Sequence, residues 1–155
     1  MPLEIVTQPL LSLPAEAVVH STEADLRYTP GPKGEIFDAA GKLPLQRALL
    51  AIGSCSVGEA VFTEGFGLSA KYIIHTVPPR WCGGKHGEDL LLARCYRNVL
   101  TLAERLDVRS LAVPMLSEGK CGYPLPRGLA VAKKELLTYP YREDITVYLV
   151  LPSAG

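Results

Sequence analysis

Charge of one sign is missing from this sequence: sixteen Lys and Arg balance sixteen Asp and Glu, for a formal net charge of zero. That balance excludes the global basic field that drives non-specific nucleic-acid binding, so nucleic acid is not an expected partner, although a local patch stays open. Cysteine is sparse as well. Cys55, Cys82, Cys95 and Cys121 lie far apart, without the pairwise spacing of a metal centre. Cys82 and His86 stand four apart in the loop Trp81-Cys-Gly-Gly-Lys-His86, but without a second close pair they are too few for zinc, so no metal is expected. There is no signal-peptide pattern and no long apolar run. The thiols are therefore expected to be reduced, and the chain cytoplasmic and without a membrane partner. No repeat, linker or low-complexity tract divides the 155 residues, which read as one domain over 1–155. That length buries about two-thirds of the unfolded surface without disulfide staples.

What is present is organised around Ser110 to Pro124. Leu111 to Leu116 is an apolar run without polar alternation, as expected of a strand covered on both faces in the middle of a sheet. It breaks into Ser117-Glu-Gly-Lys-Cys-Gly122, where small residues let backbone N–H groups converge on an anion, phosphate above all. Pro124 then suits a helix start. Strand, glycine loop and helix in this order is how open α/β sheets hold a ligand at the carboxyl ends of their strands. Two glycines after a strand are also a common plain turn.

Strands are expected at Leu3 to Val6, Ala17 to His20, Ala60 to Thr63, Tyr72 to Val77 and Ile145 to Leu151, the first two separated by a turn through Pro9 and Pro14. The step His20-Ser21-Thr22-Glu23 closes the second strand. Tyr28-Thr-Pro-Gly-Pro-Lys-Gly-Glu35 follows as a second candidate ligand loop, since its prolines and glycines exclude regular structure. Helices are expected from Gly34 or Glu35 to Ala40, Leu43 to Ile52, Glu88 to Leu106 and about Arg127 to Leu137. The third carries its apolar face on Leu91, Cys95, Val99, Leu102 and Leu106. Acidic Glu88 and Asp89 favour its first turn through the helix dipole. Alternating strands and helices predict an α/β fold with a mixed sheet covered by helices on both faces.

Among single residues, His75 sits inside an apolar strand and reads as a satisfied core histidine. His20, at a strand end, is the better functional choice. Cys121 beside Lys120 and a helix start is in a setting that can lower a thiol pKa, without an evident histidine partner. Trp81 and Tyr123 are expected to pack at the edge of the cleft or core. Arg80 and Arg127 read as solvated arginines within reach of phosphate.

Laid out in this way, the chain resembles the macrodomains, a family that binds ADP-ribose. The resemblance rests on Gly58-Glu-Ala-Val-Phe-Thr63, Leu68-Ser-Ala-Lys-Tyr-Ile-Ile-His-Thr-Val77, Arg80-Trp81, Glu88-Asp-Leu-Leu91, Cys95-Tyr-Arg-Asn98 and Gly122-Tyr-Pro124, in family order and spacing. The first fifty residues fit as a worn version. The resemblance implies a three-layer α/β/α fold with a mixed, mostly parallel central sheet. It also implies ADP-ribose or an ADP-ribosylated protein as partner, and no cofactor.

Carried over by position, the implied ligand-binding residues are His20, Gly31, Lys33, Gly34, Glu35, Ile36, Pro114, Ser117, Glu118, Gly119, Lys120, Cys121, Gly122 and Tyr123. The chain departs from the family pattern at several of them. Ser117 to Gly122 stands where typical members read Ser-Thr-Gly-Val-Tyr-Gly. His20 to Glu23 replaces Asn-Ala-Ala-Asn, and Lys33 replaces the acidic residue that hydrolytic relatives use on a water. Pro9 and Pro152 take the places of the acidic and aromatic adenine contacts. Three readings stay open. The first is a macrodomain that binds ADP-ribose or another nucleotide or phosphate without the usual catalytic residues. The second is an ADP-ribosyl or O-acetyl-ADP-ribose hydrolase using relocated carboxylates, Glu23 and Glu118, with Glu35, Lys33 and Lys120 in the same cleft. The third is an interaction module with a vestigial cleft. The oligomeric state is not specified.

Overall fold

The apolar runs assemble into one six-stranded sheet. The computed structural model describes residues 3–28, 34–117, 122–141 and 145–152. Strands β1 (Leu3–Val6), β2 (Ala17–Ser21), β3 (Ala60–Glu64), β4 (Tyr72–Thr76), β5 (Ser110–Pro114) and β6 (Thr146–Val150) are ordered β1-β6-β5-β2-β4-β3. All neighbours run parallel except β3, which is antiparallel to β4. Helices α1 (Glu35–Ala40) and α2 (Lys42–Ile52) belong to one face, α3 (Glu88–Arg105) and α4 (Leu125–Thr138) to the other. This is the expected three-layer α/β/α architecture around a mixed, mostly parallel sheet.

The middle strand explains the layering. Side chains of a strand point alternately to opposite faces, so a strand buried on both must be apolar throughout. In β5, Leu111 and Val113 enter the layer that contains Tyr96, Val99, Ala132 and Leu136 of α3 and α4. Ala112 enters the opposite layer, with Phe37, Leu45 and Leu49 of α1 and α2.

Several expected boundaries move, each for a local reason. β5 stops at Pro114, not Leu116. Met115 and Leu116 are still buried, but the Leu116 N–H is taken by the Tyr96 hydroxyl at 3.0 Å, so the ladder ends there. α4 begins at Leu125, two residues before Arg127, because Pro126 in the first turn has no N–H to leave unpaired. A short 3-10 turn at Leu10–Ser12 occupies the segment read as a plain turn. The buried stripe of α3 is Leu92, Cys95, Tyr96, Val99, Leu100 and Ala103, while Leu91, Leu102 and Leu106 are half-buried at its flanks. The stripe is wider and rotated because this helix packs on both the sheet and α4. Among the described residues, no helix is long and apolar enough to cross a membrane.

Parallel strands share one carboxyl edge. Ser21, Thr76, Pro114 and Val150 therefore end together, and Ala60 at the start of β3 joins them by pairing with Thr76.

Candidate functional site at the carboxyl edge of the sheet

His20, Glu23, Pro114, Ser117, Gly122 and Tyr123 all belong to strand ends or to segments leaving this edge. Gly34, Glu35 and Ile36 open α1, which is brought beside β2 by Phe37, whose ring meets that of His20 edge-on at 5.7 Å between centroids. The side chain of Ile36 is buried in the core with Phe37 and Ala40. Gly31, Lys33, Glu118, Gly119, Lys120 and Cys121 lie outside the described residues, as do Pro30 and Pro32. Tyr28 is tied to the helices, its N–H donating to Gln46 Oε1 at 2.9 Å and its ring packing on Phe37 beneath the Lys42 ammonium.

His20 and His75 are cross-strand partners on β2 and β4. Their Nδ1 atoms lie 3.0 Å apart, so one ring must donate and the other accept. The Nε2 of His75 meets the Thr63 hydroxyl at 2.9 Å. His75 is fully buried and satisfied at both ring nitrogens, in agreement with its reading as a core histidine. Burial first, and then the neighbouring His20, push its pKa well below the ordinary imidazole value. Next to this pair the Ser21 hydroxyl oxygen is buried without a hydrogen bond to any described residue.

The segment between β4 and α3 is organised by Glu88. Burial of this carboxylate would raise its pKa. Backbone N–H donors, including those of Cys82 (2.9 Å), Gly84 (2.8 Å) and His86 (2.7 Å), instead hold it down at about 2. Glu88 thus does more than complement the helix dipole. It folds the Trp81–Gly87 loop onto itself, and the amides of Cys82 and His86, the pair weighed for zinc, are spent on it. Among the described residues no cluster of three or more His, Cys, Asp or Glu is placed to hold a metal ion.

Asp89 follows, with one oxygen accepting from the Tyr123 hydroxyl and the other from Arg127 Nε at 2.7 Å. The Trp81 ring contacts both Tyr123, at 4.8 Å between rings, and the Arg127 guanidinium, at 5.0 Å. Arg127 is therefore engaged, where the sequence suggested a solvated side chain. Arg80 is an exposed partner of Glu23 at 3.6 Å.

On the far side of the same segment, Ser117 is buried against Gly128 of α4. A Cβ on Gly128 would stand 2.8 Å from the Ser117 Cβ and closer still to its Oγ. Gly122 has φ +80°, a left-handed conformation that suits glycine, and among the described residues none beyond its chain neighbours comes within 4 Å of where a Cβ would stand. The sequence reading placed Glu88 and Asp89 in the first turn of α3 but missed the partners of both, the contact of Gly128 with Ser117 and the pairing of the histidines.

A three-layer α/β protein with backbone-rich loops gathered at the carboxyl edge of its sheet is the class these features define. The Macro domain profile matches residues 10–132, and the chain belongs to that family. It is 43% identical to a macro domain-containing protein of Ralstonia nicotianae over an alignment of 159 positions that covers 99% of this chain and 92% of the relative. It is 41% identical to the O-acetyl-ADP-ribose deacetylase of Salmonella typhimurium over 84% of this chain and 74% of that protein. Among solved structures it superposes on the Oceanobacillus iheyensis macrodomain with ADP at a TM-score of 0.88 and 31% identity, covering 97% of this chain and 83% of the other.

Proposed function

We propose that this protein binds ADP-ribose at the carboxyl edge of its sheet, with the diphosphate received by the Ser117 to Gly122 segment. The observation that carries the reading is the fold likeness to a macrodomain of which a variant was solved with ADPR, at a TM-score of 0.88 and 31% identity. Two local features support it. Gly122, with its left-handed φ, lies just ahead of the start of α4, a setting that favours anions. The buried hydroxyl of Ser21 gives the end of β2 a polar group whose desolvation a ligand would offset. Titration calorimetry with ADP-ribose is the test. Saturable heat with one site per chain is the expected result, and no saturable heat up to millimolar ligand overturns the reading.

A second reading, turnover of O-acetyl-ADP-ribose, is favoured by the deacetylase relative at 41% identity. Of the two carboxylates in this reading Glu23 is the described one, half-buried and 3.6 Å from Arg80 at the end of β2, where it would serve as general base. Glu118 belongs to the same proposal by its place in the sequence. Release of acetate by the wild-type protein, abolished in Glu23→Gln, supports this reading. Equal rates in the two refute the role of Glu23.

A further inference from the structure

Thr63, His75 and His20 share two hydrogen bonds, and the direction of each follows from where the protons find acceptors. Burial keeps His75 neutral, so its ring carries one proton between two partners. Thr63 is buried, and among the described residues its hydroxyl has no side-chain partner besides His75 Nε2. Were it to accept from that nitrogen, its own proton would be enclosed without an acceptor. The hydroxyl therefore donates to Nε2, the proton of His75 sits on Nδ1, and that N–H donates to His20 Nδ1. A ring whose Nδ1 accepts carries its proton on Nε2.

The Nε2 of His20 points away from His75 and so away from β4, toward the side of β2 on which β5 lies. There the ladder is incomplete. β2 pairs with β4 as far as Ser21 with Thr76, and β5 with β6 as far as Pro114 with Val150, yet β2 and β5 pair only at Ala17 with Leu111 and Val18 with Ala112. The chain connections diverge at the same place, β2 leading through α1 and α2 to β3 and β4 on one side, β5 through α4 to β6 on the other. Open α/β sheets take their ligands outside the carboxyl ends of the strands at such a point. His20 keeps 6% of its surface exposed and His75 none, so His20 is the member of the pair within a ligand's reach.

We propose that Thr63 and His75 are positioning residues for ligand binding: a one-way chain of hydrogen bonds runs from Thr63 through His75 and sets His20 to offer its Nε2–H to an oxygen of the ligand. The inference rests on the ADP-ribose reading above. A ring already held in the right tautomer and orientation has neither to find during binding, and preorganisation of this kind appears directly in affinity. Neither Thr63 nor His75 needs to touch the ligand.

Two measurements test this. Long-range proton–nitrogen correlation spectra of the wild-type protein report the tautomer of each of its three histidines without any ligand. His20 is expected as the Nε2–H form and His75 as the Nδ1–H form, and a proton on His20 Nδ1 overturns the inference. Calorimetry with ADP-ribose then compares wild type, His20→Ala, His75→Leu, His75→Gln and the double variant His20→Ala/His75→Leu. His20→Ala and His75→Leu are each expected to weaken binding about tenfold, or about 1.4 kcal/mol. His75→Gln keeps an oxygen to accept from Thr63 and an N–H to donate to His20, and is expected to restore most of the affinity. The double variant is expected to bind no worse than His20→Ala, because His75 acts through His20. A merely structural role for His75 would lower the melting temperature of His75→Leu without this rescue and non-additivity. Unchanged affinity in His20→Ala or His75→Leu, or additive losses in the double variant, overturns the inference and leaves the ADP-ribose reading standing. Failure of the wild-type protein to bind removes both. Should His75→Leu fail to fold, the wild-type spectrum and His20→Ala still decide.

Discussion

Replacing Gly128 by alanine sets two effects of opposite sign against each other inside one helix. Gly128 is an interior residue of α4, where alanine is favoured over glycine by about 1 kcal/mol through backbone entropy and propensity. Were the position open, Gly128→Ala would stabilise the protein. It is not open. The added Cβ would lie 2.8 Å from the Ser117 Cβ, a separation real Cβ atoms do not show, and Ser117 is itself buried with little room to withdraw. Forcing a methyl into so tight a site belongs to the upper part of the roughly 1–3 kcal/mol that overpacking costs, about 2–3 kcal/mol, so the strain term wins by about 1–2 kcal/mol. For a chain of this size that corresponds to a fall in melting temperature of roughly 2–8 °C. Urea denaturation followed by circular dichroism gives the free energy, and the slope m should be unchanged. A Ser117→Gly substitution in the same chain removes both clashing atoms. The cost of Gly128→Ala measured in that background should shrink or change sign. Equal or greater stability of Gly128→Ala in the wild-type background refutes the reasoning, since propensity would then have prevailed over contact.

Three further outcomes follow from the same geometry. Tyr96→Phe leaves the buried Leu116 N–H without its acceptor and should cost about 1–3 kcal/mol in urea denaturation, a loss that Leu116 relaxing into solvent would reduce to nothing. Glu88 has a folded pKa of about 2, below its ordinary value of 4.5, so its stabilisation is complete above pH 4.5 and declines as pH falls toward 2. The stability gap between wild type and Glu88→Gln should close over that window, and a gap independent of pH contradicts the assignment. His75 resists protonation when folded but accepts it near pH 6.5 when unfolded, so it withdraws stability as pH drops below 6.5. Wild type should lose more stability than His75→Gln between pH 7.5 and 5, and parallel curves would count against a buried neutral ring.

Much of the fold was legible because its strands are short apolar runs and its helices carry periodic faces, both local signals. β1 and the middle of β5 could be read from composition alone, and α1 from its flanking glycines. The phase of the α3 stripe was not legible, because Leu91 and Leu92 are equally apolar and only packing against α4 decides which is buried. The site was legible where glycine and proline mark backbone, as at Gly122 to Pro124. It was not where two residues meet across the fold: His20 and His75 are 55 positions apart, Asp89 and Tyr123 are 34 apart, and nothing local announces either contact.

The row formed by Thr63, His75 and His20 crosses three adjacent strands beneath an apolar helical layer. Polar groups so enclosed tolerate few arrangements, because any that leaves one without its mate is costly. Sliding β3 or β4 past its neighbour by a single position would turn one of these groups toward the opposite face and strand the others in hydrocarbon. Oily side chains alone would forgive such a slip. These three do not, so the row works as a lock on strand alignment, and through that alignment decides which residues arrive together at the carboxyl rim of the sheet.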